Sequence, residues 1–476
     1  MISERAQRVK YVLGDYVTSN VAWFVFNCVR FHVTNVEFPT LMSFLTSKFV
    51  LLGQLVFPLF MMFIYWLSGY YNEVFRKSRM QELFTTVWSV TIITICIFLI
   101  ALINDVNIVQ HHQRGLDYEV IAWLWGLQFV LVYAYRLVVT TDTSTKIKSR
   151  EWSFPTLIIG RGAAAVAYVN KLIHMPKSLG YRVVGYVSIP DENDVKDVGD
   201  VPCYTLDEVK SACEANQVTD LIVVPTRKNN TAILNTVNRL YELGRPIKML
   251  AERSSLALSM TRVGSMLGEP LVDVSSATLS DGATNVKRLF DVVASAIMLA
   301  LLAPFTAVMA LLIKLDSKGP VFYRQQRVGM HNKPFNIIKF RSMVHDAEPA
   351  GSEPRLSSNN DPRITRIGHW MRKYRIDELP QFWNVLVGDM SIVGPRPERP
   401  YYVEQILKRS PHYALLHQVR PGITSMGMVK YGYATTVAQM VERMRYDLIY
   451  VENMSLLNDV KIMVYTVRTI FTGQGM

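Results

Sequence analysis

The chain is poor in cysteine, in charge and, over its last third, in acidic residues, and each shortage narrows what it can be. Four cysteines occur among 476 residues, Cys28, Cys96, Cys203 and Cys213, none in C-x-x-C or C-x-x-H spacing. That excludes a disulfide-stapled scaffold or a cysteine-based zinc site as the organising device. Charged residues make up 19% of the chain and hydrophobic ones 50%, where a soluble protein carries about 25% charge. The deficit points to membrane segments joined to soluble parts. No small-residue cleavage site follows the basic residues Arg5, Arg8 and Lys10 and the apolar stretch behind them, so the N-terminus reads as an uncleaved first transmembrane helix. Residues 286–476 hold 25 Lys plus Arg against 15 Asp plus Glu, a net +10 of the chain's +12. Such a surface suits phosphate-bearing substrates and anionic lipid. No recognition motif accompanies it, so nucleic acid is not an expected partner.

Four segments approach the roughly 20 apolar residues a spanning helix needs: Tyr11 to Val29, Val50 to Tyr70, Leu83 to Ile103 and Val120 to Val139. Lys and Arg gather before the first, between the second and third (Arg76, Lys77, Arg79) and after the fourth (Arg136, Lys146, Lys148, Arg150). By the positive-inside rule the N-terminus and everything after the fourth helix are cytoplasmic. Residues 1–145 are thus expected to form a membrane α-helical bundle of four transmembrane helices. Asp15, inside the first, is expected at an interface or paired with another helix.

From Ser153 the composition becomes that of a small α/β domain. The apolar strand Thr156 to Ile159 runs into Gly160-Arg161-Gly162-Ala163-Ala164-Ala165 and a helix to about Met175. Further strands are expected at Arg182 to Val187, Asp220 to Pro225 and Ile247 to Leu250, with a helix from Ala232 to Leu243. Strands alternating with helices imply a parallel, Rossmann-like sheet over residues 150–274. The G-x-G-x-x-A turn has the form of a dinucleotide-binding loop, but the second strand ends in Ser188-Ile189-Pro190 instead of a ribose-binding acid. A cofactor-binding sheet and a structural or regulatory one both fit this pattern.

A polar linker from Ser275 to Asn285 leads into a fifth apolar segment, Leu289 to Leu315, preceded by Lys287-Arg288 and interrupted by Asp291 and Pro304. A full crossing would place the basic C-terminal region outside, against the positive-inside rule. The expected solution is a re-entrant membrane helix over residues 287–315 that enters the inner leaflet, breaks at Pro304 and returns.

The chemistry-bearing residues follow. In the expected strand ending Lys339-Phe340-Arg341, the two cations lie two apart and share a face, an arrangement that fits either a phosphate grip or a solvated edge. Residues Glu348 to Asn360 read as a mobile loop. Asp361-Pro362-Arg363-Ile364-Thr365 then starts a helix carrying Arg372, Lys373 and Arg375, and Asp377-Glu378-Leu379-Pro380 starts another near Glu378, with Asp377 at its positive end. Gly394-Pro395-Arg396-Pro397 presents one proline-fixed guanidinium.

These blocks, together with Lys287-Arg288-Leu289-Phe290-Asp291, Gly388-Asp389-Met390-Ser391 and Arg420-Pro421-Gly422-Ile423-Thr424, stand in the order seen in the bacterial sugar transferases. This stretch resembles that family, the monotopic polyprenyl-phosphate hexose-1-phosphate transferases, over about 190 C-terminal residues. The N-terminal half is similar to that of the family's large members. The resemblance implies a mostly α-helical catalytic domain over residues 286–476 and a two-step reaction. Asp377 attacks the sugar-linked phosphate of a UDP-sugar and releases UMP; undecaprenyl phosphate then takes the phosphosugar, starting surface polysaccharide synthesis. Carboxylates act as covalent nucleophiles at phosphorus, and a divalent ion offsets the repulsion between anions. Mg²⁺ suits carboxylate and phosphate oxygens.

Carried over position by position, Asp377 is the nucleophile and Glu378 its metal-binding or base partner, the two forming the metal site. Lys339, Arg341, Arg372, Arg396 and Arg420 are phosphate-binding candidates. Asp447 matches a further acidic position, either aiding metal or sugar or lying as a solvated helix acid. The family also implies a homodimer and a bacterial inner-membrane location with all soluble parts cytoplasmic. Two departures stand out. Ala303 precedes Pro304 where many relatives have serine, and Ser425-Met426-Gly427-Met428-Val429-Lys430-Tyr431-Gly432 replaces the usual Gly-Leu-x-Gln-Val-x-Gly-Arg. The last helix, Ser455 to Thr472, suits either the bilayer surface or a core. Two other classes, a membrane-bound UDP-sugar dehydratase or epimerase and a non-catalytic assembly scaffold, compete with the transferase. The former needs a complete dinucleotide fingerprint and a Tyr-x-x-x-Lys pair.

Overall fold

The computed structural model describes residues 3–33, 38–106, 114–189, 201–224, 230–241, 243–250, 262–263, 271–273, 279–345, 347 and 361–471. The loop expected at residues 348–360 lies outside them. The chain forms two compact units, one of Met1–Ser153, Pro176–Gly180 and Ser280–Val286, the other of Phe154–Met175, Tyr181–Leu279 and Lys287–Met476.

The first unit is built from α1 (Glu4–Val33), α2 (Leu41–Leu45), α3 (Lys48–Leu67), α4 (Arg79–Val106) and α5 (Arg114–Lys148). Its polarity is inverted. Phe49, Leu52 and Leu55 of α3 and Trp88, Leu99 and Ile100 of α4 point outward, while Asp15, Ser19, Glu82, Gln128 and Arg136 are buried. Arg136 donates through Nε and Nη2 to the two Asp15 oxygens at 3.0 and 2.8 Å, and through Nη1 to Thr86 at 3.0 Å. Tyr71 also donates to Asp15, and the guanidinium lies 3.5 Å from the Tyr70 ring centroid. A buried charge is tolerated only when paired and hydrogen-bonded, and here α1 and α5 supply each other's partner. Asp15 is therefore a helix-paired carboxylate. This pairing also explains why α1 differs from expectation. Among the described residues the helices long and apolar enough to cross a membrane lie in α3, α4, α5 and α9 (Asp281–Asp316), whose residues from Lys287 onward belong to the other unit. The segment Tyr11 to Val29 is helical, but its inward polar stripe keeps its mean hydropathy down.

The second unit opens with β1 (Phe154–Ile159), α6 (Ala163–His174), β2 (Tyr181–Val187), β3 (Cys203–Tyr204), α7 (Val209–Ala215), β4 (Asp220–Val223), α8 (Asn230–Tyr241), β5 (Ile247–Leu250), β6 (Arg262–Val263) and β7 (Leu271–Asp273). Its sheet has the order β3-β2-β1-β4-β5-β7-β6, parallel from β3 to β5 and antiparallel beyond. Runs such as Leu157, Ile158 and Ile159, all fully buried, are what a parallel sheet covered on both faces requires. Gly160 sits at φ +119° and Gly162 caps α6.

After α9 come the hairpin β8 (Phe322–Val328) and β9 (Pro334–Phe340), α10 (Arg366–Lys373), α11 (Gln381–Val387), β10 (Ser391–Val393), α12 (Pro400–Arg409), β11 (Gly422–Thr424), α13 (Met426–Lys430), α14 (Val437–Glu452) and α15 (Leu456–Phe471). β10 and β11 run parallel, and the chains beside them touch so closely that a Cβ on Gly422 would lie 2.1 Å from the Gly394 nitrogen. That contact braces the Pro395-Arg396-Pro397 turn, whose Pro395 carbonyl accepts from the Gly422 N–H at 2.9 Å.

The break expected at Pro304 does not interrupt the helix: α9 is one continuous 36-residue helix with Pro304 inside it. Near its start Lys287 binds Asp459 at 2.6 Å, Arg288 donates to the Val385 and Leu386 carbonyls, and Asp291 accepts from the Ile392 N–H at 3.1 Å. Near its end Met309 and Ile313 pack with Phe340 and Met371. Lys287 and Arg288 are thus tied to the C-terminal region. Between these anchorages Val293, Ile297, Leu301 and Val308 are exposed.

Candidate active site

Asp377 and Glu378 do not start a helix. They lie in a 3-10 turn, Ile376–Glu378, and α11 begins three residues later at Gln381, with Pro380 at its N-cap. The turn is entered through Arg375, whose φ of +55° is left-handed. A non-glycine residue there stores strain, and the position is over-determined because the Arg375 guanidinium is buried, 3.7 Å from Glu378 Oε2 and 3.7 Å from Met428 Sδ.

The two adjacent carboxyls have different surroundings. Glu378 Oε1 accepts from Lys339 at 2.7 Å and lies 3.6 Å from Arg396. Burial alone would raise its pKa, but Lys339, Arg396 and Arg375 together hold it well below the usual carboxylate range. Asp377 is also buried. Burial pushes its pKa up, with Lys339 opposing and Glu378 adding to the rise. Two neighbouring carboxyls pushed apart in this way take different roles. Asp377 faces a cavity of about 440 Å³ whose wall includes Lys339, Arg372, Arg396 and Tyr433, whereas Glu378 is turned away into its cations.

The structure brings Asp377, Lys339, Arg341, Arg372 and Arg396 to one cavity. Arg341, two residues from Lys339, spends its N–H groups elsewhere: it donates to the Ser317 carbonyl at 2.6 Å, to that of Lys318 at 3.1 Å and to that of Ile313 at 3.4 Å. It closes the end of α9, as cations do at helix C-termini. Arg420 lies off the cavity wall and donates to the Gly388 carbonyl at 3.0 Å. Asp447 is buried, its pKa raised by that burial, and accepts from the Gly427 N–H at 2.7 Å and from the Arg396 backbone. It holds the loop around Arg396 in place.

Sequence reasoning passed over Arg375, Tyr433 and a second acid, Glu398. Arg443 donates to Glu398, and Arg327 lies 3.6 Å from it, all three on the cavity wall. Tyr433 stands 5.2 Å from the Arg396 guanidinium and 5.8 Å from that of Arg375. The available signals were the Arg-Pro-Glu order of residues 396–398 and the departure of residues 425–432 from the family pattern.

Among the described residues no cluster of three or more His, Cys, Asp or Glu is arranged to hold a metal. Mg²⁺, however, is commonly bound by one or two carboxylates plus substrate phosphates. The cavity-facing Asp377 fits that role; Glu378 fits it only by exchanging a cation for the metal.

A family model described as bacterial sugar transferase matches residues 282–473. Aligned with "UDP-glucose:undecaprenyl-phosphate glucose-1-phosphate transferase" of Caulobacter vibrioides, the chain is 43% identical over 188 residues, covering 39% of this chain and 70% of that one. The chain belongs to the bacterial sugar transferase family. It is also 45% identical over 190 residues to "UDP-N-acetylgalactosamine-undecaprenyl-phosphate N-acetylgalactosaminephosphotransferase" of Aeromonas hydrophila, covering 40% of this chain and 44% of that one. An Escherichia coli K12 transferase of the same name as the Caulobacter protein is 32% identical over 292 residues, 61% of this chain and 62% of that one. The match thus spans less than two thirds of the Aeromonas and Escherichia relatives. Membership of the family accounts for the order of the basic and acidic blocks.

Proposed function

We propose that this chain transfers a sugar 1-phosphate from a UDP-sugar to undecaprenyl phosphate. The observation that carries this reading is the asymmetry of the acidic pair: Asp377 faces the cavity with a raised pKa, while Glu378 is locked to three cations. An Asp377 oxygen attacks the sugar-bearing phosphorus, and the bond from that phosphorus to the bridging oxygen breaks with its electrons leaving on UMP. The resulting acyl phosphate is attacked at the same phosphorus by an oxygen of undecaprenyl phosphate, which restores the carboxylate. Lys339, Arg372 and Arg396 hold the phosphates and offset the charge that would repel an anionic attacker. Mg²⁺, held by Asp377 and phosphate oxygens, would neutralise further phosphate charge.

The topology is read as re-entrant. Both Asp291 and Ile313 of α9 are anchored on the C-terminal region that holds the cavity, as expected of a helix that enters and leaves the membrane on one face. On that reading the α/β region, which we take as Rossmann-like from its strand order, and the cavity are cytoplasmic.

The test is to incubate the full chain with UDP-sugars, Mg²⁺ and undecaprenyl phosphate and measure the nucleotide released. UMP is expected, and Asp377→Asn abolishes it; release of UDP, or full activity of that variant, overturns the reading. A cysteine at the exposed Lys318 position is expected to resist impermeant thiol reagents in intact cells. Labelling from outside would refute the re-entrant topology.

A further inference from the structure

The proposed chemistry uses Lys339 of β9 and leaves β8, the strand paired with it, without a task. β8 contributes Phe322, at its first position, and then Tyr323, Gln325 and Arg327 to the cavity, while Arg324 and Gln326, which alternate with the last three, are not part of its wall. Residues two apart on a strand share a face, so the three form a row. They are joined by hydrogen bonds: Gln325 Nε2 donates to Tyr323 Oη at 3.0 Å, and Arg327 Nη2 donates to Gln325 Oε1 at 2.7 Å. Arg327 Nη1 donates to the Pro397 carbonyl at 3.0 Å, beside the turn that presents Arg396. The row is held in place before any ligand arrives.

The unused bonding capacity of the row has a chemical signature. An amide has two N–H donors and an acceptor oxygen with two lone pairs; Gln325 spends one of each inside the row and retains one of each. That remainder complements an imide edge, where an N–H stands beside a carbonyl. Tyr323 is 42% exposed, so its ring offers a stacking surface next to the amide. Arg327 Nε is buried with no hydrogen-bond partner among the described residues, a donor left over at the same wall, and Arg399 and Arg443 add positive charge nearby. A planar base with an imide edge, attached to a phosphate, matches these properties together.

We infer that the Tyr323-Gln325-Arg327 row binds the uridine end of the donor, with Tyr323 stacking on the uracil and Gln325 pairing with its imide edge. This rests on the transferase reading, which requires a nucleotide donor but leaves its orientation open. The row then determines which end of the UDP-sugar points away from Asp377, and it retains UMP after the first step.

The experiment is calorimetric titration of the full detergent-solubilised chain with UMP, paired with steady-state kinetics on the preferred UDP-sugar. Tyr323→Ala and Gln325→Leu are each expected to weaken UMP about tenfold, the first by removing a stacking ring and the second by removing hydrogen bonds to the base. They should raise KM for the donor while kcat changes less than about threefold, and leave inhibition by inorganic pyrophosphate unchanged. Tyr323→Phe retains the ring and should keep most of the UMP affinity. Gln325→Glu keeps the shape but lacks the N–H and should behave like Gln325→Leu. Unchanged UMP affinity in Tyr323→Ala and Gln325→Leu, with melting temperature preserved, overturns the inference. A rise in KM without loss of UMP affinity also overturns it, since that places the sugar on this row. Failure of the transferase reading looks different: the wild-type chain would release no UMP yet still bind it in a manner sensitive to Tyr323 and Gln325.

Discussion

Lys339 Nζ lies 2.7 Å from Glu378 Oε1, and this bond ties the β8–β9 hairpin to the turn that carries Asp377. Both side chains are largely buried. Removing one partner of a buried pair costs about 3 to 5 kcal/mol, chiefly through the charge left behind. Lys339→Met is expected to fall at the lower end, because Arg396 and Arg375 still face Glu378, and to reduce turnover by about 10² or more. The stability that the lowered pKa of Glu378 contributes is present above its unfolded value near pH 4.3 and is lost as pH falls below it. The difference in melting temperature between wild type and variant should therefore shrink below about pH 4. Thermal melts across pH check this.

The acid limb of kcat/KM reports an essential group of the free enzyme. On the proposed mechanism Asp377 attacks in its ionised form, and burial, with Glu378 adding to it, raises its pKa. Activity is expected to fall with decreasing pH at a value above the ordinary Asp figure of about 3.9. In Glu378→Gln the neighbouring charge is gone and Lys339 is released toward Asp377, so the limb should move to lower pH. A limb in Glu378→Gln that stays where the wild type has it contradicts the assignment.

Arg375 combines a left-handed backbone with a side chain beside Glu378. Left-handed φ costs an L-residue about 1 to 2 kcal/mol, and glycine is spared that cost. Both Arg375→Ala and Arg375→Gly lose the guanidinium and should lose activity to a similar degree. Arg375→Gly is expected to be the more stable by about 1 kcal/mol in chemical denaturation. Equal stability would mean that the turn relaxes in the alanine variant.

In the first unit Asp15 and Arg136 are both fully buried. Asp15→Leu or Arg136→Leu alone strands a charge and should destabilise the unit by about 3 to 5 kcal/mol, whereas the double replacement should recover most of that loss. Protease resistance of detergent-solubilised protein, compared across the four combinations, measures the coupling.

What the sequence disclosed and what it concealed follow from the range of the interactions. The strand at residues 154–159 was legible because a largely buried β-strand is a continuous apolar run, and those at 181–187 and 247–250 because shorter apolar runs recur between helices. β3 and α7 are too short to show a period, and the antiparallel return through β6 and β7 leaves no local mark. The acidic pair Asp377-Glu378 and the basic blocks around it could be picked out because they stand in the order of the family they resemble. Their division of labour could not, since Glu378 is singled out by Lys339, 39 positions away, and by a guanidinium on another turn. Arg341 shows the opposite failure. It stands where a phosphate ligand was expected, yet its partners are three carbonyls at a helix end, and nothing in the pattern Lys339-Phe340-Arg341 reveals them. Likewise α1 carries Gln7, Asp15 and Ser19 within an otherwise apolar stretch because they meet partners on α5.

Arg341 has a mechanical consequence as well. Its guanidinium clasps the last carbonyls of α9, its backbone extends the β9 edge that walls the cavity, and Asp316 at the same helix end accepts from the Ile367 N–H at the start of α10 at 3.1 Å. Helix end, cavity wall and the helix bearing Arg372 are thus tied together by hydrogen bonds. On the proposed topology the elevation of Asp377 above the acyl chains is then set by how deeply α9 sits. The isoprenoid must raise its phosphate to a site of fixed height, and turnover should respond to bilayer thickness even though lipid tails touch none of the reacting groups.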